Sequence, residues 1–113
     1  MALNQFFLKK GDRLPAIEAI LKDGKNVVVN LTDATSVKLT YRAISGSTVY
    51  ERVAEVVSAA AGSVRYQWLD ADAAVLVSGS YLAEWVAEFS GGRKMRFPTD
   101  GYIMIRVSPS LSN

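Results

Sequence analysis

Residues 80–89 read SYLAEWVAEF. Alternate positions of this stretch would share one face of an extended strand, and they hold Tyr81, Ala83, Trp85, Ala87 and Phe89. The positions between them hold Leu82, Glu84, Val86 and Glu88. A period of two with bulky rings on one face predicts a β-strand that turns this face towards a core.

Similar short segments with alternating side chains lie on both sides of this stretch. Most of them are separated by Gly, Pro or an Asp-Gly pair, which favour turns. Between them, Asp70–Ala74 predicts a single helical turn with Asp70 as its N-cap. The predicted strands cover Ala16–Lys22, Val27–Leu31, Ser36–Arg42, Thr48–Val57, Ser63–Trp68, Ser80–Phe89, Lys94–Phe97 and Gly101–Val107.

About seven to nine short strands without a long helix are typical of two antiparallel sheets packed face to face. We therefore predict an all-β fold, an immunoglobulin-like antiparallel β-sandwich, with a small closed barrel as the alternative. The chain of 113 residues has the length of one domain. We place an N-terminal arm at residues 1–10, the sandwich domain at residues 11–107 and a flexible tail at residues 108–113.

The composition removes several kinds of site. The chain has no Cys and no His, so disulfides, thiolate or imidazole zinc sites and His-dependent catalytic triads cannot form. The net charge is +2 and the two signs are mixed along the chain, which favours solvated strand ends over a nucleic-acid surface. A membrane-spanning helix needs about 18 consecutive apolar residues, and no apolar run in the sequence is that long. We predict a non-enzymatic protein with no cofactor, no metal, no nucleic-acid partner and no membrane partner.

Two pairs of carboxylates are the candidates for acid–base or calcium chemistry. Asp70 and Asp72 are two residues apart, and Glu84 and Glu88 are four apart. We predict that the first pair lies in a solvated turn and that the second faces solvent from its strand. We assign no catalytic and no metal-binding residue.

Four aromatic residues have two possible roles. Tyr66, Trp68, Tyr81 and Trp85 could form a platform for a sugar ring, or they could fill the core of the sandwich. All four occupy period-two positions on apolar faces, and aromatic rings dominate such cores. We predict that they are buried.

Apolar residues also fall on faces that should contact water. Leu82 and Val86 lie opposite the aromatic face of their strand, and Tyr102 and Met104 lie opposite the apolar face of the last strand. The last two long strands of immunoglobulin-like sandwiches pair with each other, so these four residues should form one patch. A second apolar group precedes the first turn and consists of Phe6, Phe7 and Leu8. We predict that both groups bind a neighbouring subunit; alternatively, the arm folds back over the patch.

Several segments, taken in order, resemble the N-terminal immunoglobulin-like domain of phage baseplate upper proteins. Their order and spacing extend from Gly11 to Val107, which is nearly the whole chain. The matching segments are GDRLP (11–15), LKDG (21–24), NLTDAT (30–35) followed by Val37, GSVRYQW (62–68), GSYLAEW (79–85) and FPTDGY (97–102).

The resemblance implies a β-sandwich in a phage virion that docks onto other virion subunits. The expected place is the tail or baseplate. Because we expect no C-terminal extension that would hold a receptor-binding protein, the chain could instead be a tail accessory or a decoration protein of the head. The expected partners are other phage structural proteins, with the chain present as a homo-oligomer or in multiple copies. We expect assembly in the bacterial host cytoplasm. The alternative function is a glycan-binding module for the host surface.

Overall fold

A computed structural model describes residues 4–13, 15–98, 102–109 and 111 of the chain. These residues form nine β-strands, one short α-helix and one 3-10 turn over Ser90–Gly92. The strands are β1 (Asn4–Lys9), β2 (Ile17–Ile20), β3 (Ala34–Ala43), β4 (Tyr50–Val53), β5 (Glu55–Ser58), β6 (Ser63–Tyr66), β7 (Gly79–Phe89), β8 (Arg93–Phe97) and β9 (Ile103–Ser108). The helix α1 (Asp70–Val75) connects β6 to β7.

The strands form two sheets. The larger sheet has the order β1-β9-β7-β3-β4, with β8 also paired to β7, and the smaller sheet has the order β2-β6-β5. All pairs are antiparallel except β1 with β9. This arrangement confirms the predicted all-β sandwich. The alternative of a closed barrel is wrong, because no strand of one sheet pairs with a strand of the other among the described residues.

The long strand β7 organises the larger sheet. Its first half pairs with β9, from Gly79 opposite Val107 to Ala83 opposite Ile103. Its second half pairs with β8, from Trp85 opposite Phe97 to Phe89 opposite Arg93. Because both strands lie on the same side of β7, β8 and β9 act as one interrupted strand.

The core confirms the inward orientation of the alternating faces. The four aromatic residues in question, Tyr66, Trp68, Tyr81 and Trp85, are all buried. The ring centroids of Tyr66 and Trp68 lie 5.3 Å apart with the rings nearly perpendicular, and Tyr81 meets Tyr41 edge-on at 6.5 Å. These rings fill the space between the two sheets and do not form a sugar platform.

One predicted strand is two strands in the structure. The segment Thr48–Val57 divides into β4, which belongs to the larger sheet, and β5, which belongs to the smaller sheet. The chain changes sheets at Ala54, whose N–H donates to the carbonyl of Val37. This change explains why no single face of the segment is consistently apolar. The predicted strand Val27–Leu31 is wrong as a strand, since only an isolated bridge between Lys22 and Val28 forms there.

The predicted N-terminal arm is wrong for residues 4–9, which form β1 at the edge of the larger sheet. The physical reason is that β1 alternates as the other strands do: Leu8 is buried, and Phe6 packs against Trp68 with a centroid distance of 5.9 Å. At the other end, Ser108 belongs to β9 instead of the predicted tail. Met1, Ala2 and Leu3 of the arm, Thr99–Gly101 of the predicted turn, and Ser110, Ser112 and Asn113 of the tail lie outside the described residues.

The helical turn after β6 is confirmed, with a different cap. The helix α1 begins at Asp70, and its N-cap is Leu69 instead of Asp70. After the helix, the Tyr81 hydroxyl donates to the Val77 carbonyl at 2.7 Å, which is the tyrosine corner seen in many immunoglobulin-like sandwiches. Neither helix in the part of the chain that the structure describes has the length and apolar character required to cross a membrane.

Candidate functional site

The outer face of the larger sheet, which points away from the smaller sheet, carries most of the predicted partner residues. Leu82 on β7 lies directly opposite Met104 on β9, and both are partly exposed. Tyr102, just before β9, is 44% exposed. Together with Val49, which is also exposed, Leu82 and Tyr102 line a shallow depression of about 180 Å³. The structure therefore brings three of the four predicted patch residues together.

Val86, the fourth patch residue, does not belong to this group. Its cross-strand neighbours on the outer face are Lys38 on β3 and Arg96 on β8. Only 9% of Val86 is exposed, because long charged side chains cover apolar residues with their aliphatic stems. The prediction that Val86 is an exposed contact residue is wrong. Glu84, which lies between Leu82 and Val86 on this face, separates the two.

The residues of β1 take two different positions. Phe6 and Leu8 lie opposite Ile105 and Val107 and face the core. Phe7 lies opposite Arg106 on the outer face and is 64% exposed. Because β1 lies beside the patch and extends the same face, it does not cover the patch as the alternative prediction required. We use the name outer apolar band for Phe7, Val49, Leu82, Tyr102 and Met104.

A network of charged side chains surrounds Val86 on the same face. The Lys38 ammonium lies 3.5 Å from the Glu88 carboxylate and 4.0 Å from the Glu51 carboxylate. Arg96 Nε lies 3.6 Å from Glu84 Oε1. The predicted solvent-facing pair Glu84 and Glu88 is thus half-buried and paired with cations. Such partly exposed ion pairs contribute little stability, so this network mainly defines a polar surface next to the outer apolar band.

A second candidate site is a buried carboxylate that the sequence did not reveal. Asp72 is completely buried, although a solvated turn was predicted for it. Its Oδ1 atom accepts hydrogen bonds from the Tyr41 hydroxyl and from Arg52 Nε, the latter at 2.7 Å. Its Oδ2 atom accepts from the Tyr66 hydroxyl and from the Leu69 N–H, the latter at 2.8 Å. The prediction is wrong for Asp72 and holds for Asp70, which is exposed and 2.8 Å from Arg13.

The partners of Asp72 come from distant parts of the chain. Tyr41 lies on β3 and Arg52 on β4 in the larger sheet, whereas Tyr66 lies on β6 in the smaller sheet. The ring of Tyr50 stacks on Tyr41 at 5.3 Å and accepts the Arg52 guanidinium over its face at 5.6 Å. The carboxylate therefore ties the two sheets to α1. The signal in the sequence is weak: an Asp at the third helical position after inward-facing tyrosines.

The protonation states follow from this geometry. Burial by itself would raise the pKa of Asp72, but the hydrogen bonds from Tyr41, Tyr66, Arg52 and the Leu69 N–H outweigh it and lower the pKa below its usual value. Burial first, and then the hydrogen bond to Asp72, raise the pKa of both Tyr41 and Tyr66 well above the usual value. At neutral pH the site is thus a carboxylate held by neutral phenols and a cation. Because both oxygens are occupied and buried, this carboxylate cannot act as a base towards a molecule in solvent.

The described residues contain no group of three or more acidic side chains placed to hold a metal ion. No protein-family model and no curated protein matches this chain.

Proposed function

We propose that this domain is a non-enzymatic docking module that serves as a structural subunit of a phage particle, in the tail or baseplate or as a decoration protein of the head. The outer apolar band is the observation that carries the proposal. Three of its members, Phe7, Tyr102 and Val49, are large apolar side chains with about half or more of their surface exposed. Exposed apolar patches of this kind on small domains mark protein interaction sites.

The arrangement of the band supports a protein partner. Leu82 and Met104 face each other across the β7–β9 pair, and their flanking neighbours in the same row are Arg42 on β3 and Gln5 on β1. Arg106 lies next to Phe7 on the same face. An apolar centre with polar and charged residues around it is the usual composition of a protein interface. Such a surface can bind a flat partner surface without a deep cavity.

The particle setting rests on the resemblance of residues 11–107 to the baseplate domain family. The confirmed sandwich is consistent with that family, and virion proteins act through repeated, symmetric contacts. No observation favours the glycan-binding alternative, because Tyr66, Trp68, Tyr81 and Trp85 are buried. We therefore propose other virion proteins as the partners and multiple copies of the chain in each particle.

The experiment compares particles that carry the wild-type chain with particles that carry single variants as the sole copy. Leu82→Asp and Met104→Asp place a charge in the centre of the band. Val57→Asp is the matched control, because Val57 is 55% exposed and belongs to β5 of the smaller sheet. We expect the band variants to fall at least tenfold in particle content while thermal unfolding stays within a few degrees of wild type. The control should be incorporated normally.

Two results would reject the proposal. The first is absence of the wild-type chain from purified particles, measured by quantitative mass spectrometry. The second is normal incorporation of both band variants. Val86→Asp is unsuitable for this purpose, because Val86 is covered and its replacement would disturb the fold as well as the surface.

A further inference from the structure

A crevice of about 380 Å³ lies away from the outer apolar band, between the two sheets. Its walls come from the edge strand of the smaller sheet, the turn after it, and the end of β8. The apolar part of the lining consists of Ala19, Ile20, Leu21, Trp85, Phe97, Pro98 and Ile103. Among these lining residues, Ile20 is 57% exposed, so a large apolar side chain is accessible to solvent at the crevice.

Two strand edges meet at this crevice. Among the described residues, β2 pairs only with β6, and β8 pairs only with β7. The described residues of β1 pair with β9, from Asn4 opposite Ile103 to Lys9 opposite Ser108. Within the part of the chain that the structure describes, no strand pairs with the edge of β8 that faces away from β7. Open edges of this kind accept an added strand from another chain.

One of the residues that line the crevice is Trp85. Trp85 is almost completely buried, and its indole N–H has no hydrogen-bond partner in the part of the chain that the structure describes. The other tryptophan shows the usual arrangement, because Trp68 Nε1 donates to the Pro15 carbonyl at 3.1 Å. A buried donor without an acceptor is unfavourable and rare in native proteins. An incoming carbonyl group would satisfy it after a movement of the crevice wall.

The charge of β8 indicates the chemistry of the incoming segment. The strand contains Arg93, Lys94 and Arg96 and no acidic residue, and all three cations are exposed. Neither Arg93 nor Lys94 forms an ion pair with another described residue, whereas Arg96 pairs with Glu84. A second depression continues along the same strand, and its charged lining consists of Arg93, Lys94 and one carboxylate, Asp33. Positive charge along an open edge favours an acidic partner strand.

We propose that an extended, acidic segment of a partner protein adds to the edge of β8 as a β-strand. One of its apolar side chains enters the crevice between Leu21 and Phe97, and one of its carbonyl groups accepts the Trp85 N–H. The inference rests on the proposed docking function and adds a second contact with defined chemistry. In this arrangement the outer apolar band binds a surface and the β8 edge binds a strand.

The test uses an acetylated and amidated peptide with the sequence Asp-Val-Glu-Ile-Asp-Leu-Glu. Two control peptides have either Lys at each acidic position or Pro at the central position. The readout is the pair of indole N–H signals in a two-dimensional nitrogen–proton NMR spectrum of the labelled chain. We expect the acidic peptide to shift the Trp85 signal and to leave the Trp68 signal in place, because Trp68 already has its acceptor. Both control peptides should bind at least tenfold more weakly.

A pair of double variants tests the charge contribution. Arg93→Glu with Lys94→Glu should weaken the acidic peptide by about tenfold or more and should favour the Lys peptide instead. Lys9→Glu with Lys10→Glu is the matched control, because it makes the same change of charge at the far end of the sheet, where Lys9 lies opposite Ser108. The control pair should change the affinity less than threefold.

Equal binding of the Pro-containing peptide, binding without a shift of the Trp85 signal, or no binding at millimolar peptide would each overturn the strand-addition proposal. Failure here is distinguishable from failure of the docking function. Because Met104 lies on the outer face, Met104→Asp should leave peptide binding unchanged. If the peptide does not bind but Met104→Asp still blocks incorporation into particles, the docking function stands without the strand.

Discussion

Replacing Asp72 with Asn tests the buried cluster that joins the two sheets to α1. The amide has the shape of the carboxylate, but it carries no charge and has one acceptor oxygen instead of two. With the amide nitrogen in place of Oδ2, the Leu69 N–H faces another donor; with the nitrogen in place of Oδ1, Arg52 Nε does so. The Tyr hydroxyls can rotate and accept, whereas these two N–H groups cannot. Every orientation of the amide therefore leaves one donor unsatisfied.

The expected cost is about 3–5 kcal/mol of unfolding free energy at neutral pH, the range for breaking a buried charged pair by removing one partner. Hydrogen bonds to a buried charge contribute about 1.5–3 kcal/mol each, and relief from burying the charge offsets part of their loss. Because a small domain has only about 5–15 kcal/mol of stability, this loss should be large enough to measure easily.

The assay is urea unfolding followed by tryptophan fluorescence at pH 7. Asp70→Asn is the matched control, because Asp70 lies in the same helical turn with an exposed side chain and an exposed ion pair to Arg13. The control should change the unfolding free energy by less than about 1 kcal/mol. Equal and small effects of the two variants would refute the clamping role of Asp72.

The pH dependence follows from the direction of the pKa shift. A carboxyl whose pKa is lowered by folding contributes stability that is complete above its unfolded pKa of about 3.9. This contribution is lost as the pH falls through the folded-state pKa of Asp72, which lies lower. The stability difference between wild type and Asp72→Asn should therefore be constant above about pH 5 and shrink under acid conditions. A difference that does not change down to pH 2 would contradict the shift.

Two further comparisons test the fold. Leu8→Ala should cost about 2–4 kcal/mol and Phe7→Ala less than about 1 kcal/mol, because Leu8 is 5% and Phe7 64% exposed; equal effects in urea unfolding would mean that β1 does not belong to the core. Gly62→Ala should destabilise more than Gly91→Ala, although both glycines have positive φ. A Cβ added at Gly62 would lie 2.7 Å from the backbone oxygen of Val29. A Cβ added at Gly91 would meet no described atom beyond its chain neighbours within 4 Å. Equal melting temperatures for the two Ala variants would contradict the close packing at Gly62.

Much of the fold was predictable because half-buried strands repeat every two residues. The run from Ser80 to Phe89 shows this most clearly, because the structure confirms both the predicted strand and its predicted buried face. The period of two does not show which sheet a strand joins. The passage from β4 to β5 at Ala54 and the edge position of β1 both depend on contacts between distant segments, so the sequence pattern alone could not reveal them.

The candidate site was predictable only in part. Leu82, Tyr102 and Met104 come together because strand pairing followed the expected order. Val86 has the same alternation, but its exposure is decided by the stems of Lys38 and Arg96 on two other strands. The burial of Asp72 is likewise not visible in the sequence, since its partners Arg52 and Tyr41 lie 20 and 31 residues away on β4 and β3. Burial of a polar residue is set by the surroundings that tertiary structure supplies.

Photo-cross-linking from the outer face tests the docking account most directly. A photoreactive amino acid replaces Met104 in the outer apolar band, and the same amino acid replaces Val57 on the smaller sheet as the reference position. After irradiation of assembled particles, the account predicts a covalent product between position 104 and another protein subunit, with little or none from position 57. Particles that contain the chain but give no product from position 104, or that give the same products from both positions, would contradict it.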